Sequence, residues 1–127
     1  MRAVGLLFAT ALLASSAAGA ADGDPARGEA VYQRCLACHS LEHNRVGPRH
    51  CGLFGRPAGS LPGYAYSSAM KKYGVTWNEE TLDRFLQNPL QAVPGTKMGY
   101  AGVKDLQERA DLIAYLKQAT NDPKICD

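Results

Sequence analysis

The run "RCLACHS", residues 34–40, constrains this chain more than any other feature of its sequence. Cys35 and Cys38 are separated by two residues, and His39 directly follows the second cysteine. This spacing has three chemical uses: part of a tetrahedral zinc site, the dithiol of a redox protein, or the attachment of a haem through two thioether bonds. The remainder of the chain must discriminate between them.

The amino-terminal residues have the pattern of an export signal. Arg2 is followed by an apolar run that ends in the small residues Ala18, Gly19 and Ala20. The pattern predicts a signal peptide over residues 1–20, cleaved near Ala20, and a single domain over residues 21–127. A membrane anchor is the alternative, but the run is short and no basic flank follows it, so we expect no membrane span after cleavage.

Charge and composition limit the possible partners and the possible core. The formal net charge of +2 falls to +1 without Arg2, which is too small for a basic surface of the kind that binds nucleic acid. The 13 glycines and 7 prolines leave few bulky side chains for the loop content of the domain. We therefore expect something other than side chains to fill its centre.

The first helix is predicted in "DPARGEAVYQRC". Asp24 can cap its amino terminus, and Pro25 suits its first turn. Gly28 would weaken a helix, so its expected use is to let another helix approach closely. A surface glycine that the helix merely tolerates is the alternative.

Two more helices and one short helix are predicted downstream. Thr76 and Glu79 have the spacing of a capping box, and Pro89 would end the helix that they begin. A short helix is expected in "SSAMKKY", whereas residues 41–70 otherwise have no sustained period and read as ordered loops that wrap something. The apolar positions are Leu82, Phe85 and Leu86 in the second helix, and Leu106, Ala110, Leu112, Ile113, Tyr115, Leu116 and Ala119 in the last.

Haem attachment is the use of the cysteine motif that best fits the surrounding sequence. The other possible zinc ligands, His43, His50, Cys51 and Cys126, have the spacing of no common zinc module. A redox dithiol would begin a helix after a strand, whereas "EAVYQRC" precedes this motif as a predicted helix. We therefore predict a c-type haem with His39 as one axial ligand.

The second axial ligand must come from Met70, Met98, His43 or His50. Met98 lies in a loop bounded by proline and glycine, where a thioether can reach the metal. Met70 lies in the short predicted helix, where core packing is the usual role of methionine. The two histidines follow His39 too closely along the chain to reach the opposite haem face, so Met98 is predicted.

Taken together, these runs resemble a class I cytochrome c of the small soluble mitochondrial type. The similarity is carried by "CLACH", "GLFGR", "PGYAY", "VTWNEETL", "PGTKM" and "DLIAYLK". It implies an all-α cytochrome c fold of three main helices, a short helix and long ordered loops around one covalently bound haem c. The resemblance also assigns the site residues: Cys35 and Cys38 hold the haem, and His39 and Met98 ligate its iron. The Pro48 carbonyl accepts a hydrogen bond from His39. The haem propionates accept hydrogen bonds from Arg56, Tyr66 and Trp77, and Thr96 borders these propionates.

The chain departs from the family pattern in its polar network and in its surface charge. Phe85 stands where a tyrosine is usual, and Met70 stands where an asparagine is common. The segment between His39 and Pro48 is also shorter. Of the basic residues around the haem edge, Arg34, Lys97 and Lys104 remain, whereas Leu90, Gln91 and Asp105 replace three lysines.

Two cysteines are left over, Cys51 and Cys126. In an oxidising compartment two free thiols are unusual, but their spacing alone does not pair them. The resemblance does, because it brings the loop that contains Cys51 close to the end of the last helix. A disulfide between Cys51 and Cys126 is therefore expected.

The function implied by the resemblance is one-electron transfer in the periplasm by a monomer that is not an enzyme. The expected donor is a membrane quinol-oxidising cytochrome complex, and the expected acceptor is a terminal oxidase or another periplasmic reductase. A haem protein with weak Met98 ligation and peroxidase-like or ligand-binding activity is the alternative. A zinc or thiol module is the third possibility.

Overall fold

Helices and ordered loops form the part of the chain that this computed structural model describes, Met1 and residues 21–127. The signal peptide predicted over residues 1–20 lies outside the described residues, apart from Met1. The helices are α1 (Pro25–Tyr32), α2 (Ser68–Lys71), α3 (Glu79–Gln87), α4 (Pro89–Ala92) and α5 (Leu106–Ala119). The predicted all-α fold is confirmed, with two short helices, α2 and α4, where one was expected.

Helix α1 begins as its sequence predicts and crosses α5. The Asp24 carboxylate accepts hydrogen bonds from the backbone amides of Ala26, at 2.8 Å, and Arg27, at 3.1 Å. A methyl group at Gly28 would overlap the backbone carbonyl of Asp111 in α5. The two helices therefore approach so closely that only glycine fits at position 28.

A buried carboxylate on α5 binds the start of α1. Asp111, only 3% exposed, accepts from the backbone amide of Asp24 at 2.7 Å and from Nε of Arg27 at 2.8 Å. Gln107 donates to the same carboxylate at 2.9 Å. The Arg27 hydrogen bond, followed by that from the Asp24 amide, holds the pKa of Asp111 well below its usual range. This carboxylate is therefore charged across the neutral range and joins the two ends of the domain.

Helix α3 has a capping box, but at different residues from those predicted. Asn78 is the cap: its side-chain oxygen accepts from the Thr81 amide at 2.9 Å, and the Thr81 hydroxyl oxygen accepts from the Asn78 amide at 2.8 Å. The prediction of Thr76 and Glu79 is wrong because Thr76 lies two residues before the cap, where its carbonyl accepts from the Thr81 hydroxyl at 2.8 Å. The predicted buried residues of α3 do face the core: Leu82, Phe85 and Leu86.

Helix α5 buries most of its predicted apolar positions. Leu112 is 1% exposed and Leu116 is 4% exposed. The expectation for Leu106 is wrong: this first residue of the helix is 58% exposed. A charged residue is buried one turn later instead, since Arg109 binds Asp83 at 2.6 Å and the Val103 carbonyl at 3.0 Å. These contacts explain why Arg109 can be buried despite its charge.

The loop after the cysteine motif is tied to the carboxyl-terminal tail. The structure joins Cys51 and Cys126 in a disulfide, with Cα atoms 5.3 Å apart. Beside it, the Gly52 amide donates to the Thr120 carbonyl at 3.0 Å. The loop that borders the central cavity is therefore fastened to the end of α5.

In the part of the chain that the structure describes, no helix has the length and apolar character needed to cross a membrane.

Candidate haem-binding site

The cysteine motif forms a tight turn at the end of α1. A 3-10 helix, Gln33–Cys35, continues α1, and the amides of Cys38 and His39 then donate to the Cys35 carbonyl at 3.1 and 2.9 Å. This turn directs the two cysteines and the histidine to the lining of one cavity. Both cysteines are free thiols, Cys35 partly buried and Cys38 exposed.

The environment of Cys35 does not favour thiol redox chemistry. Burial raises the pKa of its thiol to about 11, although the neighbouring Arg34 opposes this change. At neutral pH the group is therefore a thiol, whereas thiol–disulfide exchange requires a thiolate. Cys35 is therefore a poor nucleophile for thiol–disulfide exchange.

A fixed, neutral imidazole lies next to these thiols. His39 is 8% exposed, and its Nδ1 lies 2.8 Å from the Pro48 carbonyl oxygen. Because that oxygen can only accept, Nδ1 must donate, and the lone pair of Nε2 is free for a metal. Burial lowers the pKa of His39, with the Pro48 hydrogen bond acting against this and Arg45 adding to it. The ring is thus held in the state that ligates iron.

The backbone of Gly47 packs directly against the same ring. A methyl group at this position would overlap Cε1 of His39 and approach both ring nitrogens within 2.6 Å. Gly47 also donates its amide to the Cys38 carbonyl at 2.8 Å. A side chain at position 47 would therefore displace the imidazole.

A second imidazole lies beside the first. The rings of His50 and His39 are stacked, with centroids 4.2 Å apart and planes inclined by 24°. Nδ1 of His50 and the Tyr32 hydroxyl form a hydrogen bond of 2.9 Å. Burial, and then the proximity of His39 and Arg56, lower the pKa of His50 well below its ordinary value. His50 is therefore a neutral component of the cavity wall, whereas the His43 side chain is 79% exposed.

Met98 lies in the lining of the same cavity and is held by its loop. Its amide donates to the Thr96 hydroxyl at 3.2 Å, and the Lys97 ammonium donates to the Ala65 carbonyl at 2.8 Å. Met70 also borders the cavity, from α2, and is 9% exposed within the core. Both thioethers therefore border the space that a bound group would occupy.

The residues that the resemblance assigns to the haem propionates also border this cavity. They are Arg56, Tyr66, Trp77 and Thr96. Arg56 donates to the carbonyls of Cys51 and Arg49, both at 3.1 Å, and burial lowers its pKa. Its guanidinium therefore lies partly buried near the cavity without a carboxylate partner in the described residues, which suits an added anionic group.

The cavity fits a haem attached through two thioethers. Its lining combines two thiols, one neutral imidazole and thioethers with apolar core residues such as Leu53, Phe85 and Leu112. Soft sulfur and nitrogen donors in an apolar pocket suit haem iron.

A structural zinc site is not supported. Across residues 21–127, no group of three or more histidine, cysteine, aspartate or glutamate side chains is placed to hold a metal ion. Cys51 and Cys126 are joined to each other, so they supply no thiolate.

Comparison with known proteins gives the family. A model of the family described as Cytochrome c matches residues 25–120. The chain is 49% identical over 120 residues to cytochrome c2 of Blastochloris viridis, which covers 92% of this chain and 94% of that protein. The chain belongs to the cytochrome c family. It is also 51% identical over 110 residues to cytochrome c of Chlamydomonas reinhardtii, covering 84% of this chain and 98% of the relative.

A solved cytochrome c structure has the same fold. Cytochrome cH from Methylobacterium extorquens matches with a TM-score of 0.73 and 47% identity, covering 75% of this chain and 98% of that one. As a member of the cytochrome c family, the protein binds one covalently attached haem c and is an electron carrier, not an enzyme. The resemblance read from the sequence motifs is confirmed.

The basic residues around the cavity are largely engaged within this cytochrome c. Arg34 binds Glu108 through two hydrogen bonds, of 2.6 and 2.8 Å. Lys97 and Lys104 donate to backbone carbonyls, Lys104 to that of Gln87 at 2.7 Å. An exposed apolar residue, Val46, lies at the cavity margin with 73% of its surface accessible. The ion pair of Arg34 and Glu108 therefore makes the surface near the cavity less cationic, whereas Lys97 and Lys104 keep their charge.

Sequence reasoning missed the position of His50 beside the axial candidate. A signal was present, because Pro48 was already expected to contact His39 and His50 follows it by two residues. In an extended segment, residues two apart point to the same side.

Proposed function

We propose that this protein is a periplasmic one-electron carrier whose haem is bound to Cys35 and Cys38 and whose iron is ligated by His39 and Met98. The observation that supports this most directly is the orientation of His39. Its Nδ1 lies 2.8 Å from the Pro48 carbonyl, which leaves Nε2 free towards a cavity that also contains the Met98 thioether and both thiols. One imidazole, one thioether and two thiols match the needs of a c-type haem.

Bound haem supplies a reversible one-electron change between ferrous and ferric iron. The chain's own residues determine whether that change is used for transfer or for catalysis. With His39 and Met98 both ligating, no coordination position is left for a substrate, which favours transfer. The Pro48 carbonyl strengthens His39 as a donor, whereas a neutral thioether favours the ferrous state and raises the potential.

Small structural change between oxidation states would make transfer fast. The segment that carries Met98 is fastened at Thr96, whose amide donates to the Val93 carbonyl at 2.9 Å, and at Lys97. His39 is fastened by Pro48 and covered by Gly47. Because both proposed ligands are held before any electron arrives, little reorganisation is needed.

The haem propionates are proposed to contact Arg56, Tyr66 and Trp77, beside Thr96. The partly buried Arg56 guanidinium supports this proposal, because a buried cation is stabilised by a nearby anion. In the Arg56→Leu variant, the native visible spectrum of the haem should therefore be lost more readily at acidic pH than in the parent protein. Arg49→Leu, which removes an exposed arginine of the same loop, is the control.

We propose residues 21–127 as the mature domain, a monomer in the periplasm. The small-residue site at the end of the apolar run, Ala18 to Ala20, supports cleavage near that point. The proposed donor is a membrane quinol-oxidising cytochrome complex, and the proposed acceptor is a terminal oxidase or another periplasmic reductase. Purified ferric protein should be reduced by quinol-fed membranes of the source cell, and no reduction would contradict this choice of donor.

Spectra of methionine variants test the ligand set. The ferric protein should be low-spin, with the weak near-infrared band of a sulfur-to-iron bond. Met98→Ala should abolish this band and admit carbon monoxide to the ferrous protein, whereas the matched control Met70→Ala should keep the band. Loss of the band in the Met70 variant alone would transfer the ligand role to Met70. Retention of the band in both variants would contradict thioether ligation by either.

A further inference from the structure

An imidazole with no assigned role packs against the proposed axial histidine. The centroid of the His50 ring lies 4.2 Å from that of His39, and the two planes are inclined by 24°. Gly47 also packs against the His39 ring, but only through its backbone, so it offers no ring that could stack on His39. His50 is therefore the ring that contacts His39 over an extended area.

His50 is itself held firmly. Its Nδ1 bonds to the hydroxyl of Tyr32, a residue of α1 that is only 2% exposed. Its backbone amide donates to the Leu41 carbonyl at 3.0 Å. The next residue, Cys51, is joined to Cys126 beyond α5. Side chain, backbone and neighbouring disulfide therefore all restrict movement of the His50 ring.

The two contacts on His39 act on different parts of the ring. The hydrogen bond from Nδ1 to Pro48 fixes the tautomer and constrains the ring orientation through one atom at its edge. The stacked His50 ring contacts the face of the imidazole and adds a second constraint, because rotation of His39 would drive the two rings together. An apolar side chain could fill the same space without desolvating a polar group, so the half-buried imidazole of His50 requires a hydrogen-bond partner, which Tyr32 provides.

We propose that His50 is a positioning residue: its stacked ring, fastened by Tyr32, sets the rotation of the His39 imidazole about the bond to haem iron. This rests on the proposed function, in which His39 is an axial ligand. The plane of an axial imidazole determines its overlap with the iron d orbitals. Changing that plane redistributes unpaired spin over the ferric haem and changes the reduction potential without changing the ligands.

The experiment uses the processed, haem-loaded protein. Tyr32→Phe removes only the oxygen that fastens His50, and His50→Leu removes the stacked ring. His43→Leu removes an exposed histidine of the same loop and is the matched control. The readouts are the proton shifts of the haem methyl groups in the ferric protein and the reduction potential. The near-infrared sulfur-to-iron band reports on ligation separately.

We expect Tyr32→Phe and His50→Leu to alter the spread of the haem-methyl shifts and to move the potential, with ligation intact, and His43→Leu to change neither. In the double variant of Tyr32 and His50, the shifts should match those of His50→Leu alone, because Tyr32 acts through His50. Unchanged shifts and potential in Tyr32→Phe, which keeps the tyrosine ring and therefore the fold, would overturn the proposal. A parent protein without histidine ligation would overturn the proposed function instead, and the positioning role with it.

Discussion

Replacing Cys51 and Cys126 by serine should lower the free energy of unfolding by about 4 kcal/mol. The disulfide joins residues 75 positions apart, and the chain-entropy model gives a loss of about 15 cal/mol/K for a loop of that length, or about 4.5 kcal/mol at 25 °C. Haem attachment at Cys35 and Cys38 would not shorten this loop, since both residues precede Cys51. The covalent haem therefore leaves most of the effect intact.

The native state of this variant should change little. The Gly52 amide still donates to the Thr120 carbonyl, at 3.0 Å, and the amide at position 126 still donates to the Asp122 carbonyl, at 2.7 Å. These bonds hold the tail beside the loop without the covalent link. The effect of the substitution is therefore expected mainly in the unfolded chain, which becomes less compact.

Guanidinium titration of the haem-loaded protein measures the effect. The serine variant should unfold at lower denaturant with a larger m-value, because its unfolded chain exposes more surface. The midpoint of thermal unfolding should fall by at least about 15 °C, at roughly 4–8 °C for each kcal/mol in a domain of this size. The parent protein treated with reductant is the control and should behave as the variant does.

Two results would contradict the predicted contribution of the disulfide to stability. One is a serine variant as stable as the untreated parent protein. The other is two free thiols per chain when the denatured, unreduced parent protein is titrated.

Four further substitutions or conditions test other parts of the molecule. Phe85→Tyr places a hydroxyl in the cavity lining and should move the reduction potential by about a few tens of millivolts, since hydrogen bonds near the axial ligands tune the potential of the iron. Equal potentials in the variant and the parent protein would exclude this effect. Gly28→Ala should destabilise the fold by about 1–3 kcal/mol in denaturant titrations, because its methyl group overlaps α5. The folded state lowers the pKa of Asp111, so this carboxylate stabilises the protein above its ordinary pKa and loses that contribution as the pH falls; Asp111→Asn should therefore flatten the acid side of the stability curve. Since Glu108 pairs with Arg34, electron transfer to the physiological acceptor should change by no more than about threefold between low and physiological salt, and a steep fall would contradict the less cationic surface that this ion pair gives.

Local signals in the sequence were sufficient for four of the five α-helices, all except α4, and for the family. Asp24 and Pro25 start α1 because a capping side chain and a proline ring act on amides within one turn. The close approach of another helix that was predicted at Gly28 is present, since a methyl group at this position would overlap the Asp111 carbonyl of α5. The covalent haem followed from the cysteine motif and is supported by the family.

Helix boundaries and the burial of individual residues were harder to predict from the sequence. Asn78, rather than Thr76, caps α3, since both residue types can cap and the choice depends on the path of the preceding loop. Leu106, the first residue of α5, is 58% exposed although it lies in register with the apolar stripe. Periodicity alone does not reveal which turn of a helix is covered.

The proposed attachment of haem could be predicted locally, since the thiols and the imidazole of the motif are neighbours in the chain and line one cavity from a single turn. The stacking of His50 on His39 and its bond to Tyr32 are visible only in the folded protein. The same holds for the pairing of Cys51 with Cys126, which spacing could not supply and which the family resemblance alone had suggested. These contacts depend on the path of loops without a period, which long-range packing and hydrogen bonds determine, and no interaction within a turn can encode that path.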